Sequence, residues 1–330
     1  MSKKIIILLI AFVFVFSQSL LSKAKSDDDT TETVYPSVDE YYTTIGEHSF
    51  VLNSNADDPF IIHDLRVALG GAQALSPDVP LPIDVPEIID DTLYFESSMT
   101  FLMGSIRYKH KINDWAAFSI GFYGIGRVGT SLATIIDRGV SGISGFQLAW
   151  YFKLFQTKKS IFTTSLSMNS DSYLYLNIKE FVEDLLDSTT QAPTLDKTYK
   201  SLSTVFGVSY AFGFTRFFGM MANAHLGYGE LPSKDFENDV FWDASLYFDF
   251  NFINMSVPLG FNLGLKLNTY PYQVDNPLNF SRSVFFKLAY VGQTDFNVGL
   301  EANYFMIPNA EAITFDSKII QTQFVFELYF

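Results

Sequence analysis

The sequence predicts an all-β protein, a transmembrane antiparallel up-and-down β-barrel of about 12 strands. Three observations carry this. Apolar residues recur at every second position in twelve separate segments; the connections between those segments alternate strictly between long and short; and after residue 24 no uncharged apolar run reaches the length of a membrane helix, which needs about 20 residues.

Residues 1–24 read as a secretory signal peptide. Lys3 and Lys4 precede an apolar run from 5 to 16 that is too short to span a bilayer, and Ser22 and Ala24 are small residues with cleavage-site spacing. Without this segment the chain loses three lysines and no acid, leaving 19 bases against 36 acids, a charge balance that argues against nucleic acid as a partner. There is no cysteine, which excludes a lipoprotein anchor, disulfides and thiolate metal sites. Residues 25–58 carry nine acids and one base and read as an acidic arm, either periplasmic or inserted in the lumen as a plug. Residues 49–52 are strand-like, which leaves a thirteenth or fourteenth strand open.

The barrel is expected over residues 59–330, with strands near 60–72, 92–109, 115–130, 142–155, 160–177, 198–212, 217–230, 239–252, 256–270, 281–291, 295–306 and 317–330. In the first, Leu65, Val67 and Leu69 alternate with Asp64, Arg66 and Ala68. The second breaks register, because Leu93, Phe95 and Met99 fall out of step with Ile106 and Tyr108, and a β-bulge is expected there. The eighth is the clearest: Val240, Trp242, Ala244, Leu246, Phe248 and Phe250 face one way, Asp243, Ser245, Tyr247 and Asp249 the other. Trp115, Trp150 and Trp242 fall near strand ends, where interfacial aromatics belong.

Every odd-numbered connection is longer than every even-numbered one. A soluble sandwich has no reason to sort its loops so, whereas a barrel in an outer membrane has short periplasmic turns and longer outer loops. The long connections hold 16 acids and four bases; the short ones hold Lys111, Lys158, Lys159 and Arg216 against Asp114. An acidic outer mouth would draw cations, or bind lipopolysaccharide through divalent ions. The long connections at 178–186 and 132–136 carry short amphipathic helix patterns, and Pro77, Pro80, Pro82 and Pro86 make 73–91 stiff and extended.

The last segment alternates Ile320, Thr322, Phe324, Phe326, Leu328 and Phe330 with Gln321, Gln323, Val325, Glu327 and Tyr329. An apolar strand ending the chain on Phe resembles the C-terminal signal by which the bacterial outer-membrane assembly machinery recognises its β-barrel clients. The resemblance implies a bacterial outer-membrane location, docking of that machinery at Phe330, and both termini in the periplasm. Lipid cannot satisfy an open sheet edge, so the last strand is expected to pair with the first.

The candidate functional residues are the inward-facing charges and one histidine: Asp64, Arg66, Arg127, Lys153, Asp171, His225, Asp243, Asp249, Lys266, Lys287, Glu301 and Glu327. They would form either a polar, charged path for small solutes or an ion-paired filling of the lumen. Small inward residues, among them Gly207, Gly219, Gly227, Gly260, Gly264 and Gly299, favour the path. Facing strands place Asp243 and Asp249 near Lys266, and Lys287 near Glu301. Gly124, Gly126 and Gly129 spell GxGxxG, but inside an alternating strand with no helix after it, so no nucleotide site is expected. His225 with Met221 and Asn223 invites comparison with barrel-borne phospholipases; such an enzyme would need a hydroxyl nucleophile beside the histidine at the lipid-facing surface, whereas His225 is expected to point inward among Gly227 and Gly229, so no enzyme, cofactor or metal is expected. The sequence thus predicts a passive channel for small solutes, with a surface barrel of structural or adhesive role as the alternative. A carrier of hydrophobic compounds using the arm as a hatch, which in outline resembles the fatty-acid transporter group, is the third reading.

Overall fold

The computed structural model describes residues 42–75, 79–81, 93–95, 98–128, 139–176, 196–231, 237–269, 280–307 and 317–330. All the described residues belong to one compact unit within Tyr35–Phe330. The signal peptide, residues 25–41 of the acidic arm, and the helix patterns at 132–136 and 178–186 fall outside them.

Sixteen strands are present among the described residues. A small hairpin, β1 (Thr44–Ile45) and β2 (His48–Ser49), precedes β3 (Asp64–Leu75). β4 (Val79–Leu81) pairs only with β5 (Leu93–Phe95). The remaining strands are β6 (Ser98–Asn113), β7 (Ala116–Val128), β8 (Gly139–Gln156), β9 (Ser160–Leu176), β10 (Asp196–Gly213), β11 (Phe218–Leu231), β12 (Glu237–Asn251), β13 (Leu259–Asn268), β14 (Ser281–Tyr290), β15 (Phe296–Ile307) and β16 (Ser317–Tyr329). β3 and β6 to β16 form one closed antiparallel barrel of 12 strands, sealed where β16 pairs with β3 through Phe326↔Val67 and Glu327↔Arg66. Every ladder of the barrel is thereby closed, as lipid requires.

The outer face is the apolar one. Leu69, Leu265 and Leu226 are 65%, 58% and 57% exposed, and Phe122, Phe206, Leu202 and Leu300 stand out beside them all round the wall. A continuous belt of this kind exceeds the apolar patches that water-facing proteins carry, and matches the face a barrel presents to lipid. Gly124 and Gly126 lie on this outer face with nothing within 4 Å of where a Cβ would stand, which places two of the three GxGxxG glycines away from any cradle; Gly129 is outside the described residues.

Two local expectations are corrected. The register break in the second segment is not a bulge: Leu93–Phe95 leaves the barrel to pair with Val79–Leu81, and Met99 belongs to the separate strand β6, opposite Ala74. The irregularity in β6 lies at Lys111/Asn113. The strand-like 49–52 adds no barrel strand, since only His48–Ser49 pairs, and only with Thr44–Ile45.

Candidate functional site

Most of residues 42–63 lie inside the barrel, in the half bounded by the short connections, with Tyr42, Gly46 and Glu47 exposed at the rim, where Glu47 pairs with Arg216. Their apolar side chains anchor them: Ile45, Phe50, Leu52, Phe60 and Ile62 pack with Ala211, Met221, Tyr247 and Phe285 of the inner wall. Phe50, Val51 and Leu52 are at most 1% exposed. The small inward residues are therefore seats and not open space. A Cβ at Gly219 would come within 2.5 Å of Phe50 and 2.6 Å of His48, and one at Gly260 within 2.5 Å of Val51 Cγ2. Gly227 and Gly264 lie under Phe241, and under Tyr247 with Phe285.

Polar side chains of the wall grip the segment's main chain. Asn251 Nδ2 donates to Ser49 O at 2.8 Å, Asn262 Nδ2 to Val51 O at 2.8 Å, Lys287 Nζ to Leu52 O at 2.6 Å and Thr163 Oγ1 to Pro59 O at 2.6 Å. Asp249 accepts from Val51 N–H at 3.1 Å, and Glu301 from Ser54 N–H at 3.0 Å. The sheet register sets these groups in one row across the wall, Asp249↔Asn262↔Lys287↔Glu301↔Gln323. Buried main-chain groups need such partners, because leaving one unpaired costs about 1–3 kcal/mol.

The charges expected to face inward sort into three sets. Asp64, Arg66, Lys287, Glu301 and Glu327 are buried in an ion-paired network: Arg66–Glu327 2.8 Å, Lys287–Glu327 3.2 Å, Lys287–Glu301 3.3 Å and Arg107–Asp64 2.9 Å. A second set lies deeper. His225 bridges Asp243 at 2.9 Å and Asp57 of the inserted segment at 3.0 Å, and Lys266 approaches Asp243 at 3.5 Å. Asp249 is not beside Lys266; it pairs with His48 Nε2 at 2.8 Å, a partner supplied by the arm. The third set stands apart: Asp171 accepts from Tyr123 OH, Arg127 is at the far end of β7, and Lys153 donates to Gln156 Oε1 at 2.9 Å beside a short turn. Arg107, Lys109, His48 and Asp58 belong to the networks and were not among the sequence candidates.

Burial pushes the Asp57 carboxyl up, but the hydrogen-bonded His225 outweighs it and leaves the group below the ordinary carboxylate range. Asp58 behaves alike: burial raises it, and the charges of Lys109, Arg107 and Arg66 bring it down further than burial lifts it. Both carboxyls thus hold the segment while ionised. Their contribution is full above an unfolded-state value of about 3.9 and is lost as pH falls through the lower folded values. The segment is expected to stay seated from about pH 5 to 8 and to loosen below about pH 4. Maleimide labelling of a Val51→Cys variant after acid pulses checks this, since the chain has no other thiol.

No family model matches the chain, and no curated protein matches it. Among solved structures, an outer membrane channel from Pseudomonas putida F1 is 12% identical, with 85% of this chain and 100% of that one covered and a TM-score of 0.48. The NanC porin is 9% identical over 81% of this chain and 99% of that one, with a TM-score of 0.45. The KdgM porin in complex with disordered oligogalacturonate is 7% identical over 81% and 99%, with a TM-score of 0.42. The likeness is one of barrel architecture and says nothing about what this chain binds.

Proposed function

We propose that the protein is a bacterial outer-membrane channel for small solutes whose N-terminal segment stoppers the periplasmic half of the lumen. The observation that carries this reading is the mode of attachment: residues 42–63 are held by wall side chains through main-chain hydrogen bonds and ion pairs, as a ligand is held, and form no strand of the barrel. At the segment's edge toward the long connections, side chains meet water: Ser105 of the wall is exposed, and Lys266 of the wall and the segment's own Asp57 are partly so. Twelve strands enclose more than the eight whose interior side chains fill, so a displaced segment leaves room for a solute. The outer apolar belt supports a membrane location, and the exposed ring of Phe330, stacked at 6.1 Å on His63, is accessible to assembly machinery.

Liposome swelling and single-channel recording test the reading. The full-length protein is expected to conduct rarely and the variant lacking residues 25–58 persistently; absence of conductance in both would sink it. The second reading, a static barrel of structural or adhesive role, draws on the complete ion pairing of the buried network. It predicts silence in both recordings.

A further inference from the structure

Asp58 belongs to the inserted segment, yet its carboxylate is 1% exposed and three wall cations converge on it: Lys109 Nζ at 2.7 Å, Arg107 Nη2 at 3.3 Å and Arg66 Nη2 at 3.9 Å. Lys109 is fully buried, and its ammonium lies 4.5 Å from the centroid of the Tyr151 ring. Planar guanidinium forks and a buried ammonium suit a carboxylate in geometry as well as charge.

Among the directly ion-paired groups, the balance turns on that one carboxylate. Arg66, Arg107, Lys109 and Lys287 are joined through Asp58, Asp64, Glu301 and Glu327 into one continuous network of four cations and four carboxylates. Asp64, Glu301 and Glu327 are fixed on barrel strands; Asp58 arrives with the segment. When the segment leaves, this directly paired network keeps four cations against three carboxylates. With the segment gone, these cations face the open lumen with an excess of positive charge, which favours an anion where Asp58 had been.

We propose that Arg66, Arg107 and Lys109 form a carboxylate-binding site, that Asp58 occupies it as a tethered carboxylate, and that the solute admitted when the segment is displaced is a small organic carboxylate. Only the last step rests on the channel reading above. Selection at this depth is for anions, opposite in sign to what the acidic long connections suggest for the mouth.

Chemical rescue in the full-length chain tests the site without requiring conduction. Asp58→Ala removes the tethered carboxylate and leaves a space beside the three cations. Its unfolding midpoint, followed by tryptophan fluorescence, is expected to fall, and added acetate is expected to recover most of the loss saturably, while acetamide, the neutral isostere, recovers none. The wild type should show no acetate-specific gain. Asp58→Ala/Lys109→Met restores three cations against three carboxylates; it is expected to be more stable than Asp58→Ala alone and indifferent to acetate. If Asp58→Ala does not fold unaided, its folded yield with acetate against acetamide replaces the midpoint, with the same expected result. Equal effects of acetate and acetamide, or equal acetate gains in the wild type, would overturn the site. The same variant in a planar bilayer is expected to show reversal potentials favouring acetate over potassium; a cation preference would overturn the carboxylate solute. Rescue by acetate with no conductance in any variant would support the site and count against the channel.

Discussion

Replacing Lys287 by Met is expected to destabilise the barrel by about 3–5 kcal/mol, the range for removing one partner of a buried charge pair. Lys287 is fully buried, and its ammonium contacts Leu52 O at 2.6 Å, Glu327 at 3.2 Å and Glu301 at 3.3 Å. Methionine keeps much of the side chain's length and removes all three contacts, so two carboxylates lose a cation inside a dry wall. Glu327 retains Arg66, and Glu301 retains Gln323 Nε2 at 2.6 Å, which places the loss within that range and not beyond it. The double variant Lys287→Met/Glu301→Met removes a charge of each sign and is expected to recover a large part of the loss, because an apolar pair of similar volume can replace a buried ion pair at little cost. Denaturant titration of the two variants and the wild type, folded into the same detergent, measures both values. A double variant no better than the single one would place the defect in the lost Leu52 contact instead, and would weaken the case for charge balance across the network.

The barrel was legible because lipid imposes a pattern on sequence. Each strand must turn apolar side chains outward at every second position, so Val240 to Phe250 and Ile320 to Leu328 declare their outer face without reference to any partner. The inner face carries no such rule. Asp249 and His48 are separated by 201 positions, and nothing local to either says that they meet. The small inward residues were misread for the same reason: Gly219 and Gly260 reveal the absence of a side chain, and what fills the space, Phe50 and Val51, comes from a part of the chain with strand-like and acidic character of its own. Arg107 and Lys109 were missed on account of the second segment's broken register. Once Leu93–Phe95 is assigned to its own small sheet, the alternation of Ile106 and Tyr108 outward puts Arg107 and Lys109 inward, opposite Arg66 and Asp64. That signal was present in the sequence, and treating 92–109 as a single strand obscured it.

A cysteine pair at Val51 and Gly260 is expected to hold the channel shut under oxidising conditions and to release it on reduction. A Cβ at position 260 would stand 2.5 Å from Val51 Cγ2, close enough for sulfurs on the two residues to meet, and the absence of native cysteine removes competing disulfides. The bond would join the segment to β13 at the point where Asn262 and Asp249 already hold its main chain, so it changes little in the seated state and forbids departure from it. Substituting Gly260 adds a side chain where Val51 was packed, and truncating Val51 to cysteine gives back part of that volume, so the reduced pair is expected to open at least as often as the wild type. Single-channel recording of one reconstituted sample through a cycle of oxidant and dithiothreitol reads the outcome directly: conductance lost on oxidation, regained on reduction, and unchanged throughout in either single-cysteine variant. Conductance that persists with the bond formed, as shown by loss of free thiol, would mean that solutes pass beside a stationary segment. The wall's grip on residues 49–54 would then be structural, and the path would have to lie along the strands that carry Asp171, Tyr123 and Arg127.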